Sequence, residues 1–151
     1  MEQSIMNWWK RGAIALVGVS VIIQLIPYGR DHTNPPVTAE PAWDSELTRS
    51  LAVRACFDCH SNETEWKWYS NIAPVSWFIQ NEVDEGRAEL NFSAWNATQE
   101  GDESAETVRE GEMPPRFYAI TRSRLNDTEL RQLEQGLIAT FGEEDEDDDD
   151  D

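Results

Sequence analysis

Cysteine and histidine are almost missing from this chain of 151 residues, which has two of each. Two cysteines cannot supply the disulfide framework that holds small secreted folds together. Two histidines leave little imidazole for general acid–base chemistry. Positive charge is scarce as well: 12 basic residues stand against 30 acidic ones, for a net charge of −18. That balance excludes binding to DNA or RNA phosphates through bulk electrostatics. Alternation with period two is absent too, so half-buried strands are not expected and the fold class reads as all-α.

The scarce residues are concentrated. Cys56-Phe57-Asp58-Cys59-His60 sets two cysteines three apart, with a histidine directly after the second. This is the attachment pattern of a c-type haem. On a helical turn, side chains at i and i+3 share a face, so both thiols can meet the vinyl groups on one edge of a porphyrin. The next residue lies under the ring, where the imidazole of His60 can bind iron. One covalent haem c is therefore the expected cofactor, bound by Cys56 and Cys59. Three rivals exist. A thioredoxin-type pair sits at the start of a helix after a strand, and nothing near residue 56 reads as a buried strand. A structural zinc site needs four ligands, and only His32 is left to help, from a proline-rich stretch. A plain disulfide gives His60 no role. With His60 committed, a peroxidase or a hydrolase triad would have only His32 as imidazole, so no enzyme activity and no catalytic residue are expected.

Haem-attachment machineries act outside the bacterial cytoplasm, so the motif implies export. Residues 1–30 read as the means, an N-terminal membrane anchor. Gly12 to Ile26 is apolar apart from Ser20 and Gln24; its 15 positions span about 22 Å, short of a bilayer core of about 30 Å. Counting residues 8–28, from Trp8-Trp9 to Tyr28, gives about 31 Å with aromatics at both interfaces. Lys10 and Arg11 precede the run, which predicts a cytoplasmic N-terminus. The expected placement is the bacterial cytoplasmic membrane, single-pass, with the haem domain periplasmic. A cleavable signal peptide is the alternative, but the nearest small-x-small site, Val37-Thr38-Ala39, lies about a dozen residues beyond the core.

Residues 31–42 carry three prolines and read as an extended linker with a reach of about 40 Å; His32 within it reads as solvated. A helical domain over 43–142 follows. Asp44 or Ser45 can cap a helix through Leu47, Leu51 and Val53 that delivers Cys56. Pro74 suits a first helical position, with Val75, Phe78, Ile79 and Val83 at helical spacing and Gly86 marking a weak point or bend. Glu103 to Glu110 can form a helix closed by Gly111. Asn126 with Glu129 makes a capping-box start for a last helix with Leu130, Leu133, Leu137, Ile138 and Phe141 on one face, closed by Gly142. Residues 143–151 are nine consecutive carboxylates, a tail that reads as disordered; the rest of the chain still nets −9. The tail suits solubility or high salt, or docking to a basic partner.

Met113 is the only methionine of the domain, the other two lying at Met1 and Met6. It follows His60 by 53 positions, enough chain to wrap a ring, and Pro114 and Pro115 stiffen the loop that presents it. Met113 is the candidate second ligand to iron beside His60, against gap-filling in the core. His32 or an open position are the alternatives. Five tryptophans (Trp43, Trp66, Trp68, Trp77, Trp95) offer rings to stack on a macrocycle. Trp68 and Tyr69 are the candidates taken for the haem pocket. Arg87 is the candidate for a haem propionate, with Asn91 and Arg109 behind it.

Taken together, Gln24-Leu25-Ile26-Pro27-Tyr28-Gly29-Arg30, Asn34-Pro35-Pro36-Val37, Cys56 to Thr64, Trp66-Lys67-Trp68-Tyr69, Ala73-Pro74-Val75-Ser76-Trp77, Glu85-Gly86-Arg87, Asn91-Phe92-Ser93 and Gly111-Glu112-Met113-Pro114-Pro115 resemble the small bacterial haem-binding domain proteins, membrane-anchored relatives of the cytochromes c. Lys67 departs from the pattern, which has proline between the two tryptophans. The resemblance covers residues 24 to about 140 and implies a cytochrome c-like helical fold around one covalent haem, with His60 proximal and Met113 distal. The expected function is that of a membrane-anchored monohaem cytochrome carrying single electrons between redox partner proteins, a membrane oxidoreductase and a periplasmic acceptor. A haem-based sensor with an open or displaceable sixth position is the alternative.

Overall fold

The computed structural model describes residues 2–115, 117–118 and 125–143; the acidic tail beyond Glu143, with its expected basic partner, lies outside the described residues. Among these, the secondary structure is six α-helices and one 3₁₀ turn, with a single parallel bridge, Ala39 to Ala94, in place of any strand. The chain divides into two compact units, Met1–Thr33 with Trp66–Glu82 and Asn34–Glu65 with Val83–Asp151.

The first unit holds α1 (Glu2–Ile23), the 3₁₀ turn Trp68–Asn71 and the first half of α4 (Val75–Glu89). It corrects the expected anchor. Among the described residues no helix is long and apolar enough to cross a membrane. The reason is where α1 begins and ends. Its 22 residues rise about 33 Å, but its first half carries Glu2, Asn7, Lys10 and Arg11. The apolar part, residues 12–23, rises only about 18 Å against a core of about 30 Å. The chain then leaves the helix through three tight turns, with Gln24, Leu25 and Ile26 donating to Val21, Ile22 and Ile23. Residues 24–28 therefore add nothing to a span over 8–28. The single-pass placement with a periplasmic haem domain is overturned with it.

Gln24, a polar interruption in the sequence, has a structural task instead. Its Nε2 donates to the Ala73 carbonyl at 2.8 Å and its Oε1 accepts from the Ala73 N–H at 3.1 Å, while Arg30 donates to the same Oε1 at 3.0 Å. Two amide bonds thus fix the residue before Pro74, whose carbonyl accepts from the N–H groups of Trp77 and Phe78 in the first turn of α4. His32 is not simply solvated. Its ring stacks on Trp66, centroids 4.5 Å apart and planes 7° from parallel, and its Nε2 lies 3.1 Å from the Ser70 carbonyl.

The second unit contains α2 (Glu46–Ala55), α3 (Phe57–His60), the end of α4, α5 (Glu103–Glu110) and α6 (Asp127–Phe141). Ser45 caps α2 by accepting from the Thr48 N–H. Asn126 and Glu129 form the expected capping box at α6, and Gly111 closes α5 in the left-handed conformation, φ +75°. Helix α6 packs on both α5 and α2. Leu51, Ala52, Ala55, Phe57, Phe92, Ala105, Leu133 and Leu137 form the core, each large side chain contributing about 1.5–3 kcal/mol on burial. Trp43, Phe57, Phe92, Trp95 and Phe141 make one ring cluster, with Trp43–Phe92 at 5.1 Å and Trp95–Phe141 at 4.8 Å. The α2–α6 crossing is close because Gly136 has no side chain: a Cβ there would lie 2.1 Å from Oγ1 of buried Thr48.

The segment read as a free spacer is extended but docked. Thr38 N–H donates to the Ser93 carbonyl at 2.8 Å, Trp95 N–H donates to the Ala39 carbonyl at 3.1 Å, and Pro41 is buried. Residues 34–41 belong to the second unit rather than to a tether, because the loop 93–95 offers them backbone partners.

Gly136→Ala should destabilise the chain by about 1–2 kcal/mol, the steric cost exceeding the gain in helix propensity. Thr48→Ala in the same chain should recover part of that loss, as read by urea denaturation.

Candidate functional site

Cys56, Cys59 and His60 lie on a single turn. Cys56 follows the last residue of α2 and precedes the first of α3, and its carbonyl accepts from the N–H groups of Cys59 and His60 at 3.1 and 2.9 Å. A four-residue helix is not stable alone. It is held by three contacts from the end of α4 and the loop after it. The Phe92 N–H donates to the His60 carbonyl at 2.9 Å. The His60 ring places Nδ1 3.2 Å from the Leu90 carbonyl. Gly86 lies flat against Cys59: an added Cβ would stand 2.9 Å from the Cys59 carbonyl oxygen and 3.1 Å from its carbon. Gly86 is therefore no bend. Helix α4 runs through it to Glu89, and the missing side chain makes room for the turn.

The electrostatics are those of buried, uncharged donors. Burial, and then the neighbouring Cys59, push the Cys56 thiol up to about 12. Burial lowers the pKa of His60, with the Leu90 and Gly86 carbonyls opposing it. Bonding of Nδ1–H to Leu90 leaves Nε2 with the lone pair that a metal needs. The rivals fare poorly against this geometry. A thioredoxin-type pair relies on a depressed thiol pKa, whereas that of Cys56 is raised, and no strand precedes it among the described residues. Both cysteines are free thiols. Among the described residues no three His, Cys, Asp or Glu side chains gather as a metal site.

The loop after the motif is fastened by polar side chains. Arg87 donates from Nε to the Ser61 carbonyl at 2.7 Å and from Nη2 to Asn34 and Thr64, each at 2.9 Å. Thr64 donates to the Asp58 carbonyl, and Asp58 Oδ1 accepts from the Glu65 N–H, both at 2.8 Å. Asn91 donates to Asn62, which donates to the Pro36 carbonyl. Arg109 pairs with Glu134 at 3.3 Å. The three residues expected to face propionates thus all have protein partners, and Arg87 and Asn91 brace the attachment loop.

Met113 is half-buried and packs against the same apolar cluster as Cys56. Its N–H and that of Glu112 both donate to the Thr107 carbonyl, at 3.1 and 3.0 Å. Trp68 and Tyr69 lie in the first unit, edge to face at 5.7 Å, with Trp68 75 % exposed. A cavity of about 430 Å³ lined by Arg49, Val53, Phe57 and Asp58 includes none of the attachment residues, and Arg49 beside it is already bound to Glu40 at 2.7 Å.

This donor set fits a haem: two half-buried thiols three apart, an imidazole directed by a carbonyl, and a helix relieved of its side chain where the turn lies. The model of the haem-binding domain matches residues 18–140. The chain belongs to the haem-binding domain family. Neither a curated protein nor a solved structure matches it. Within this haem-binding domain, Gly86, the Leu90 carbonyl and the carboxylate of Asp58 escaped the sequence reading. Asp58 had a signal, its place inside the motif; the Leu90 carbonyl had none, because backbone groups carry no residue identity.

Gly86→Ala should lower the yield of haem-loaded protein and destabilise the remainder by about 1–3 kcal/mol, since backbone rather than a flexible side chain must move. Haem absorbance per polypeptide and thermal melting check it.

Proposed function

We propose that this haem-binding domain is a monohaem c-type cytochrome that carries single electrons and catalyses no reaction of its own. The observation that carries the reading is the turn Cys56–His60, with both thiols and the imidazole within five consecutive positions and Nδ1 held by Leu90. Cys56 and Cys59 would each supply a thiol for addition across a vinyl group, sulfur to one carbon and hydrogen to the other, so the linkage needs no oxidant. His60 would hold iron through Nε2, and Met113 would supply the opposite ligand from a loop fixed to the end of α5. Haem ligated in this way exchanges one electron at iron, and a His/Met pair raises its potential.

The residues around the turn suit a carrier. Gly86, Leu90, Arg87 and Asp58 restrain the attachment segment from several sides, and a site that does not rearrange suits electron transfer. The partners follow from charge: with eight basic and 27 acidic residues in the second unit, a redox partner with a basic face associates fastest.

Protein co-expressed with a haem-attachment system should keep its pigment in acidified solvent, and Cys56→Ala/Cys59→Ala should release it. Wild type should show the weak near-infrared sulfur–iron band, lost in Met113→Ala. Colour that washes out of wild type ends the c-type reading; a missing band moves the protein to the sensor class.

A further inference from the structure

We propose that Asp58 and Tyr118 are positioning residues that hold the Met113 loop closed over the haem site, a proposal that rests on Met113 as the distal ligand. Asp58 stands between the two attachment cysteines. Its Oδ1 accepts from the Glu65 N–H at 2.8 Å, and its Oδ2 accepts from the Tyr118 hydroxyl at 2.8 Å. Tyr118 lies five residues beyond Met113, and Pro114 and Pro115 follow Met113 directly. Fixed φ and no N–H restrict the backbone at those two positions.

The loop is therefore fastened at both ends. On the near side, the N–H groups of Glu112 and Met113 bind the Thr107 carbonyl at the end of α5. On the far side, the Tyr118 hydroxyl binds the carboxylate of the attachment turn itself, and it also lies 3.4 Å from the Arg54 carbonyl in α2. The same carboxylate braces residues 61–65. One side chain inside the motif thus links the segment that carries the proximal ligand to the segment that carries the distal one. A loop anchored to the turn would keep the thioether at iron without a large entropic penalty; with the bond to Asp58 cut, one of its restraints is lost.

The test uses the full, haem-loaded chain. A hydroxyl–carboxylate hydrogen bond biases the closed loop by about tenfold. Tyr118→Phe should therefore keep its covalent haem and its cooperative melt while the ferrous protein binds CO about tenfold more tightly, the open fraction having risen by that factor. Asp58→Ala should raise CO affinity at least as much, since it also removes the bond from the Glu65 N–H, and adding Tyr118→Phe to it should raise the affinity no further, since the bond between the two residues is already gone. Wild type with the sulfur–iron band but unchanged CO affinity in Tyr118→Phe overturns this proposal alone. A wild type without the band overturns the distal-ligand reading, and the proposal with it. A variant that does not load is read by hydrogen exchange on the unloaded full chain. About tenfold faster exchange over residues 112–118 supports the anchor, and unchanged exchange overturns it.

Discussion

The turn that carries Cys56, Cys59 and His60 exists because a helix with a gap in it lies alongside. Four residues of helix cannot hold their own geometry in water, since nucleation costs more than so short a segment returns. The turn Cys56–His60 takes its shape from α4, where position 86 presents bare backbone to Cys59 and the chain just beyond presents the Leu90 carbonyl to His60 and the Phe92 N–H to its carbonyl. Close backbone contact aligns the turn and the hydrogen bonds set the ring tautomer. A bulkier residue at 86 would push away the segment whose thiols and imidazole must share one face.

Two kinds of packing meet at this turn. On one side is a dry aromatic core in which Phe57, from within the motif, stacks on Phe92 at 5.7 Å. On the other is a polar mesh in which Arg87, Asn34, Thr64 and Asn62 satisfy backbone carbonyls that the irregular loop leaves without partners, and Asn91 holds Asn62. Buried carbonyls without partners are costly, so the mesh is what allows an irregular segment to sit beside the core. It also draws residues 34–41 into the second unit. The charge distribution points the same way: the first unit carries four basic and three acidic residues, and nearly all the acidity lies in the unit with the attachment turn.

Much of this was legible in the sequence, and the places where it was not share a cause. Helix caps are local, so Ser45, the Asn126–Glu129 box and Gly111 were readable from spacing alone. The apolar face of α6 followed from its 3.6-residue period. Arg87, by contrast, read as a cation free to meet a propionate, because nothing in a linear chain shows that the Ser61 carbonyl lies 2.7 Å away. Gly86 read as a weak point because a glycine in a helix has the same local signature whether it bends or makes room. The anchor failed for a related reason: hydropathy counts residues along the chain, while a membrane span needs them on one helix, and this helix ends at Ile23.

The sequence by itself determined which donors the site holds, two thiols and an imidazole at the spacing of one helical turn, because residue types and their intervals are properties of the linear chain. It determined the helical class and the helix ends for the same reason, since those signals act over three or four residues. Only the tertiary structure decided which groups hold the turn and what Gln24 and His32 do. Those outcomes depend on contacts between residues 25 to 60 positions apart, such as Gln24 with Ala73 and Asp58 with Tyr118. Such contacts form only once the core has brought distant segments together.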